Sequence, residues 1–98
     1  MTIEITRSAE QTTVKLVGRL DTMTAPALDK TIKEDLGDTQ NLVLDVKEVE
    51  YISSAGLRVL LSAQKMMQKR GSMKLTGVCE SVMEVLEMTG FSDIWVIE

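Results

Sequence analysis

The stretch YISSAGLRVLL, residues 51–61, decides the fold. The apolar run LVLDV lies just upstream, and a long amphipathic stretch lies downstream. This pattern predicts a buried strand, a short connection, and a helix that begins near Ser53 or Ser54 and runs to about Lys69. At a helix N-terminus backbone N–H groups are unpaired and the dipole is positive. A phosphate on a hydroxyl there would therefore gain hydrogen bonds and favourable electrostatics.

The residues before this stretch predict a hairpin and a helix. Alternating apolar residues indicate strands over residues 2–6 and 12–20, joined by a polar turn. Thr24 is a suitable helix N-cap, and Pro26 is tolerated in the first turn, where its missing N–H is no loss. Apolar residues then follow helical spacing until Gly37, which is expected to end the helix.

The remaining segments alternate between strand and helix patterns. Residues 41–46 are nearly continuous apolar sequence, which is typical of a strand covered on both faces, and residues 47–50 are expected to be a charged linker. A strand over residues 73–78, a helix over 81–88 and a last strand over 94–97 follow. The order ββαβαβαβ predicts an α/β fold with a mixed, largely parallel sheet of about five strands and helices packed on it.

Composition excludes several classes of protein. A chain of 98 residues is expected to form one domain. Its net charge of −4 lacks the basic footprint of a nucleic-acid binder. With Cys79 as the single cysteine and no histidine, the chain has no internal disulfide, no zinc ligand set and no histidine general base. No apolar run approaches the ~18 residues of a membrane span and no signal peptide is evident, so cytoplasmic residence is the default expectation.

The two hydroxyls of the central stretch admit two interpretations. In one, Ser54 is a reversible phosphorylation site on a protein-binding switch. In the other, Ser53 is a helix N-cap, a role typically contributing ~1 kcal/mol, and Ser54 is a solvated residue of the first turn. Gly56 has no Cβ, so a partner's backbone or a nucleotide phosphate could approach it closely. Alternatively, glycine is required there by packing within the chain itself.

Two aspartates and the methionines also admit two interpretations each. Asp21 follows the predicted strand over residues 12–20, and Asp45 lies near the C-terminal end of the one over residues 41–46. If strand ends cluster, the two side chains would meet at one edge of the sheet. There they could hold a metal during phosphotransfer or bind a partner's basic groups; alternatively, each is a turn-forming side chain. The seven methionines either fill core gaps, the favoured interpretation, or form an adaptable binding surface.

Four ordered segments resemble the STAS domain, the family of bacterial anti-sigma factor antagonists. The family signature runs apolar, apolar, Asp or Ser, Ser or Thr, small, Gly, Leu, and is matched by YISSAGL at residues 51–57. GRLD at residues 18–21, LVLDV at 42–46 and MTGFSDIWVI at 88–97 resemble other parts of the family pattern. Because the similarity covers essentially the whole chain, it implies a single STAS domain over residues 1–98.

The resemblance implies a phosphorylation-controlled partner switch. In such proteins an anti-sigma factor that is also a serine/threonine kinase phosphorylates the residue before small-Gly-Leu, which is Ser54 here. The unphosphorylated form binds the kinase and so releases the sigma factor, and a phosphoserine phosphatase restores it. ATP and its magnesium would belong to the kinase. The chain itself is expected to have no catalytic residues, cofactor or metal, and no direct contact to nucleic acid or membrane. The sequence is silent on oligomeric state, and a monomer is the economical assumption.

The resemblance also implies a region that contacts the kinase. The residues expected there are Asp21, Thr22, Thr24, Asp45, Ser53, Gly56 and Arg58. The best-known members have Asp where this chain has Ser53, which leaves open whether Ser53 competes as the phosphate acceptor. Some members have Gly where this chain has Arg58, so Arg58 is a candidate for tuning the choice of partner.

Two other functions compete with this hypothesis. A STAS-type accessory subunit of a membrane lipid or solute ABC transporter would dock through its helices onto an ATPase and need no phosphate cycle. A small hydrolase would use Ser54 as its nucleophile. The hydrolase fails a simple requirement, because without histidine Lys47 or Lys65 would have to serve as base without any recognisable motif.

Overall fold

A computed structural model describes residues 1–36 and 39–98, and within them five strands and three helices follow the predicted order ββαβαβαβ. The strands are β1 (Thr2–Arg7), β2 (Thr12–Leu20), β3 (Asn41–Ile52), β4 (Ser72–Thr76) and β5 (Val96–Ile97). The helices are α1 (Ala25–Glu34), α2 (Ser54–Gln68) and α3 (Glu80–Met88). The predicted helix end at Gly37 lies outside the described residues.

The five strands form one mixed sheet in the order β1-β2-β3-β4-β5. β1 and β2 are the antiparallel hairpin, whereas β2, β3, β4 and β5 are parallel neighbours. The expectation of a largely parallel sheet is therefore confirmed. Parallel order brings the carboxyl ends of β2 and β3 to the same edge, where Leu20 lies opposite Ile52.

One face of the sheet and the inner faces of all three helices share a single hydrophobic core. Val14 and Leu44 of the sheet lie in the same buried cluster as Leu28 of α1, Leu60 of α2 and Leu86 of α3. The other face of the sheet carries the ion pairs Lys15–Glu48, at 3.1 Å, and Lys74–Glu98, at 3.0 Å. Burial of this largely aliphatic core is the main favourable contribution to folding, at roughly 25 cal/mol per Å² of apolar surface.

β3 is longer than the sequence pattern predicted, and the linker expected over residues 47–50 is wrong. The register of β3 against β2 shifts between Lys15 and Val17 and again between Gly18 and Arg19. At each shift β3 contains one residue more than β2, as in a β-bulge. The buried side chains of this half of β3 are Val46, Val49 and Ile52. Buried residues in a regular strand alternate with a period of two, so this spacing of three does not give the sequence pattern that identifies a strand.

The second register shift depends on Gly18. Its φ of 116° lies in a region that residues with a Cβ rarely adopt, so glycine relieves the strain there. The glycine of the GRLD segment therefore has a local structural role. By letting β2 follow the bulged β3, it keeps the ends of the two strands side by side, where the candidate site lies.

α2 is the 15-residue helix that follows β3, and it is amphipathic as predicted. Arg58, Ser62 and Lys65 are exposed, whereas Leu60 and Met67 are buried in the core. Among residues 1–36 and 39–98, no helix has both the length and the apolar character needed to cross a membrane.

Candidate functional site

Ser53 is the connection between β3 and α2, and it is the N-cap of the helix. Its backbone is extended, with φ −96° and ψ 174°, and its Oγ accepts a hydrogen bond from the Gly56 N–H at 3.3 Å. The Ser53 N–H donates to the Leu20 carbonyl at 2.9 Å. These two bonds satisfy an otherwise unpaired helix donor and attach the start of α2 to the end of β2.

Ser54 is the first residue of α2 and its side chain is exposed. Within the described part of the chain its hydroxyl makes no hydrogen bond. Ser53 and Ser54 therefore differ physically, since the first serine caps the helix and the second presents an unengaged hydroxyl beside the helix N-terminus. Of the two hydroxyls, that of Ser54 is the more accessible to a second protein.

Gly56 is buried, and the packing of the chain itself requires the absence of a Cβ there. A Cβ at this position would lie 2.7 Å from Leu20 Cγ and 3.0 Å from both the Leu20 carbonyl oxygen and Ile52 Cγ1. The close approach inferred from the sequence is thus made by β2 and the end of β3. A contact between Gly56 and a partner stays a prediction.

Asp21 organises the turn that follows β2. One of its carboxylate oxygens, Oδ1, accepts hydrogen bonds from the backbone N–H of Met23 at 3.0 Å and of Thr24 at 3.1 Å. Partial burial alone would raise the pKa of the Asp21 carboxyl, but these bonds and the Thr24 hydroxyl outweigh it. With a smaller contribution from Arg19, they lower the pKa, so the side chain is anionic at neutral pH.

Thr24 occupies the N-cap position of α1, as predicted, but its hydroxyl does not cap that helix. Instead it accepts a hydrogen bond from the Asp21 N–H at 2.9 Å and donates to the Arg19 carbonyl at 2.6 Å. Thr22 and Met23 project from the same turn, and Met23 is 86% exposed. The turn is therefore fixed from inside while it offers apolar and hydroxyl groups to solvent.

The turn and the start of α2 form one surface, because Leu20 joins them. Residue 21 directly follows Leu20, whose carbonyl accepts the Ser53 N–H and whose side chain packs against Gly56. We call residues 21–24 and 53–58 the Ser54 surface. Arg58, one helical turn beyond Ser54, is also exposed on it.

Asp45 does not belong to the Ser54 surface. It lies within β3, opposite Lys15, and its Oδ1 accepts the N–H of Lys47 at 3.2 Å. The strand positions at Lys15 and Leu20 are separated by roughly 17 Å, at about 3.3 Å per residue. The expectation that Asp21 and Asp45 meet at one edge is therefore wrong, because β3 continues past Asp45 to bury Val49 and Ile52.

Two residues beside the Ser54 surface escaped the sequence analysis. The Arg19 guanidinium lies 4.3 Å from the centroid of the Tyr51 ring, and Arg19 Nε lies 3.7 Å from Asp21 Oδ2. Tyr51 remains 42% exposed. Both residues stand inside the quoted motifs, but only the bulged β2–β3 register shows that they are partners across the sheet.

The chemistry available at this surface is that of an exposed hydroxyl beside a helix N-terminus. In residues 1–36 and 39–98, no three His, Cys, Asp or Glu side chains are placed to hold a metal ion together. Among the side chains that the structure describes, none that could act as a base is hydrogen-bonded to the Ser54 hydroxyl.

Comparison with known proteins identifies the family. A match to the family described as "STAS domain" spans residues 2–98. The chain belongs to the STAS domain family. This STAS domain is 28% identical over 93 residues to an anti-sigma-B factor antagonist of Bacillus subtilis, covering 94% of this chain and 85% of that protein. It is 31% identical over 90 residues to one of Listeria monocytogenes, covering 90% and 79% respectively.

The fold agrees with that of solved STAS structures. An anti-sigma factor antagonist from Mycobacterium paratuberculosis superposes with a TM-score of 0.88 at 24% identity, covering 98% of this chain and 83% of that one. The α/β STAS fold predicted from the sequence is thus confirmed. The two curated relatives named above are anti-sigma-B factor antagonists, which agrees with the expectation of a regulator rather than a hydrolase.

Proposed function

We propose that this STAS domain is an anti-sigma factor antagonist whose binding to an anti-sigma factor serine/threonine kinase is controlled by phosphorylation of Ser54. The observation that carries the proposal is the exposed, unengaged hydroxyl of Ser54 at the first position of α2. The neighbouring Ser53 hydroxyl already accepts the Gly56 N–H, which favours Ser54 as the phosphate acceptor.

In the unphosphorylated state the Ser54 surface docks against the kinase, and the bound kinase releases its sigma factor. The groups proposed to make the contact are the exposed residues of turn 21–24, with Arg58 and the start of α2. Met23 supplies flexible apolar area, and Tyr51 beside the surface supplies an aromatic anchor. Asp45 is left out of this contact because it lies well along β3 from the strand ends.

A phosphate on Ser54 would oppose this docking by charge and by size. It adds about −1.5 to −2 charges at neutral pH, next to a turn that already holds the anionic Asp21. Enclosing that charge in a packed interface costs desolvation free energy. A difference of roughly 3 kcal/mol would already lower the affinity more than a hundredfold. The helix N-terminus stabilises the same phosphate in the free protein, so no refolding is needed.

The remaining partners follow from the same cycle. A phosphoserine phosphatase would regenerate the binding-competent form, and the kinase would supply ATP and magnesium. We place the cycle in the cytoplasm, with a monomeric antagonist that contacts neither nucleic acid nor membrane directly. The net charge of −4 agrees with the absence of a nucleic-acid contact.

The site assignment is tested by incubating the purified chain with its cognate kinase and magnesium-ATP, followed by peptide mass spectrometry. We expect one phosphate, on Ser54, that is lost in Ser54→Ala and retained in Ser53→Ala. A phosphate on Ser53 or elsewhere with Ser54 unmodified would refute the assignment. The transporter accessory subunit considered above predicts no kinase-dependent phosphate at all.

A further inference from the structure

Arg58 is a cation on the Ser54 surface that has no partner within the described residues. Its side chain is exposed, and in residues 1–36 and 39–98 its guanidinium makes neither an ion pair nor a hydrogen bond. The other arginine near this surface, Arg19, is already engaged by the Tyr51 ring and the Asp21 carboxylate. Arg58 is thus the available positive charge beside Ser54.

The spacing between Ser54 and Arg58 is that of neighbours on one helix face. Both belong to α2 and are four residues apart, which brings their Cβ atoms to about 6 Å. An anionic group four residues before a cation is the favourable order on a helix. The planar guanidinium also matches two phosphate oxygens at once, which an ammonium group does not.

The negative charge near the start of α2 would make a neighbouring cation favourable for a phosphate on Ser54. Asp21 follows Leu20, to which the start of α2 is attached, and its carboxylate is held anionic by the hydrogen bonds of its own turn. The first turn of α2 contains no acidic residue. A phosphate on Ser54 would therefore add negative charge beside the segment that holds the Asp21 carboxylate. Of the two cations in α2, Arg58 and Lys65, Arg58 is the one that lies a single helical turn from Ser54.

We propose that Arg58 is the intramolecular partner of a phosphate on Ser54. The phosphate recruits the guanidinium, so phosphorylation adds negative charge and also withdraws Arg58 from the surface offered to the kinase. Phosphorylation of Ser54 would then change two contacts with the kinase, that of Ser54 and that of Arg58. The inference rests on the proposed function for the position of the phosphate and for the contact of Arg58 with the kinase.

The test uses the full chain with phosphoserine installed at position 54 during translation, without a kinase. The second ionisation of the phosphate is followed by ³¹P NMR in the parent chain, Arg58→Gln and Lys65→Gln. Lys65 lies on the same exposed stripe of α2 but two further turns away, so its variant loses the same charge at a distance. Asp21, Glu50 and Arg19 are identical in all three proteins, so the differences isolate the replaced cation.

Because Arg58 favours the dianion, Arg58→Gln should raise the second pKa of the phosphate by about 0.2 to 0.4 relative to the parent, the size expected for a pair at this spacing. Lys65→Gln should raise it by clearly less, and Arg58→Lys should fall between parent and Arg58→Gln. Equal shifts in Arg58→Gln and Lys65→Gln would overturn the proposal. Failure of a kinase to modify Ser54 would instead refute the proposed function and leave this measurement valid.

Discussion

Two helices of this STAS domain begin after parallel strands, and the contrast between their first turns explains why one suits a phosphate. α2 begins at Ser54 behind the capping Ser53, with no acidic residue in its first turn. α3 begins at Glu80 behind Cys79, whose side chain makes no cap bond to the helix. A helix N-terminus alone therefore does not make a site, because the first turn of α3 contains the acidic Glu80 whereas that of α2 contains no acidic residue.

At the start of α3 the thiol of Cys79 and the hydroxyl of Ser81 are both hydrogen-bonded within the chain. The Cys79 thiol lies 3.3 Å from the Val49 carbonyl and 3.3 Å from the Ser81 hydroxyl, and that hydroxyl donates to the Glu50 carbonyl at 3.0 Å. The bond with Ser81 is the main cause that lowers the pKa of the Cys79 thiol. Carboxylates line this end, from Glu50, Glu80 and Glu84. The start of α2 instead has an unengaged hydroxyl and an unpaired arginine.

The largest stability effect is expected for a substitution at Gly56, the third residue of α2. The corresponding residue of α3 is Val82, which is buried although it has a full side chain. Gly56→Ala should lower the free energy of unfolding by about 1 to 3 kcal/mol, because the new Cβ meets Leu20 and its backbone oxygen. Urea denaturation measures the change, with the exposed Ser62→Ala as the control on the same helix. A loss no greater than that of the control would contradict this packing.

The second prediction concerns affinity for the kinase. Ser54→Asp should weaken binding at least about tenfold, equivalent to ~1.4 kcal/mol, because it places a fixed negative charge on the Ser54 surface. Ser81→Asp makes the same change at the start of α3 and should leave affinity within about twofold. Calorimetric titration compares the two variants with the parent. Equal losses would show that the distinction between the two helix ends is irrelevant to binding.

The third prediction separates the adjacent serines. Ser53→Ala should cost ~1 kcal/mol of stability, since it removes the acceptor of the Gly56 N–H. Ser54→Ala removes a hydroxyl without a partner and should stay within about 0.5 kcal/mol of the parent. Chemical denaturation of both variants checks the difference. If Ser54→Ala cost as much as Ser53→Ala, the assignment of cap and acceptor would have to be reversed.

The smallest predicted effect is the acid sensitivity of the turn at Asp21. Its carboxyl pKa is lowered in the folded protein, so its contribution is present above the ordinary value of 3.8 and is lost as pH falls through the folded value. The stability difference between the parent and Asp21→Asn should therefore shrink as the pH falls from 6 to 3. Thermal unfolding across this range measures it, with Thr22→Ala as a variant that removes no titrating group. A difference that grows on acidification would have the wrong sign.

The sequence predicted the fold well where periodicity was regular and failed where β3 bulges. Residues 51–57 and the alternating strand and helix patterns were sufficient for the STAS fold. The linker expected at residues 47–50 was wrong because Val46, Val49 and Ile52 are buried at a spacing of three. Because the strand was predicted to end at residue 46, Asp45 was expected near the strand end and therefore close to Asp21.

The site was predicted in outline, but its internal contacts required the structure. The motif placed the helix start near Ser53 or Ser54, and a cap at Ser53 followed by a solvated Ser54 was one of its two interpretations. The pairing of Arg19 with Tyr51 depends on a bulged register that no local pattern encodes. Gly56 was singled out from the motif, but only the position of Leu20 shows that the chain itself occupies the space of the missing Cβ.

The central claim is that a phosphate on Ser54 decides whether the partner binds. Its most direct test is the affinity of the kinase for the chain with and without phosphoserine at position 54, measured by calorimetry at one salt concentration without ATP. We predict that the phosphorylated chain binds at least about a hundredfold more weakly, a difference of roughly 3 kcal/mol. Equal affinities of the two forms would contradict the account.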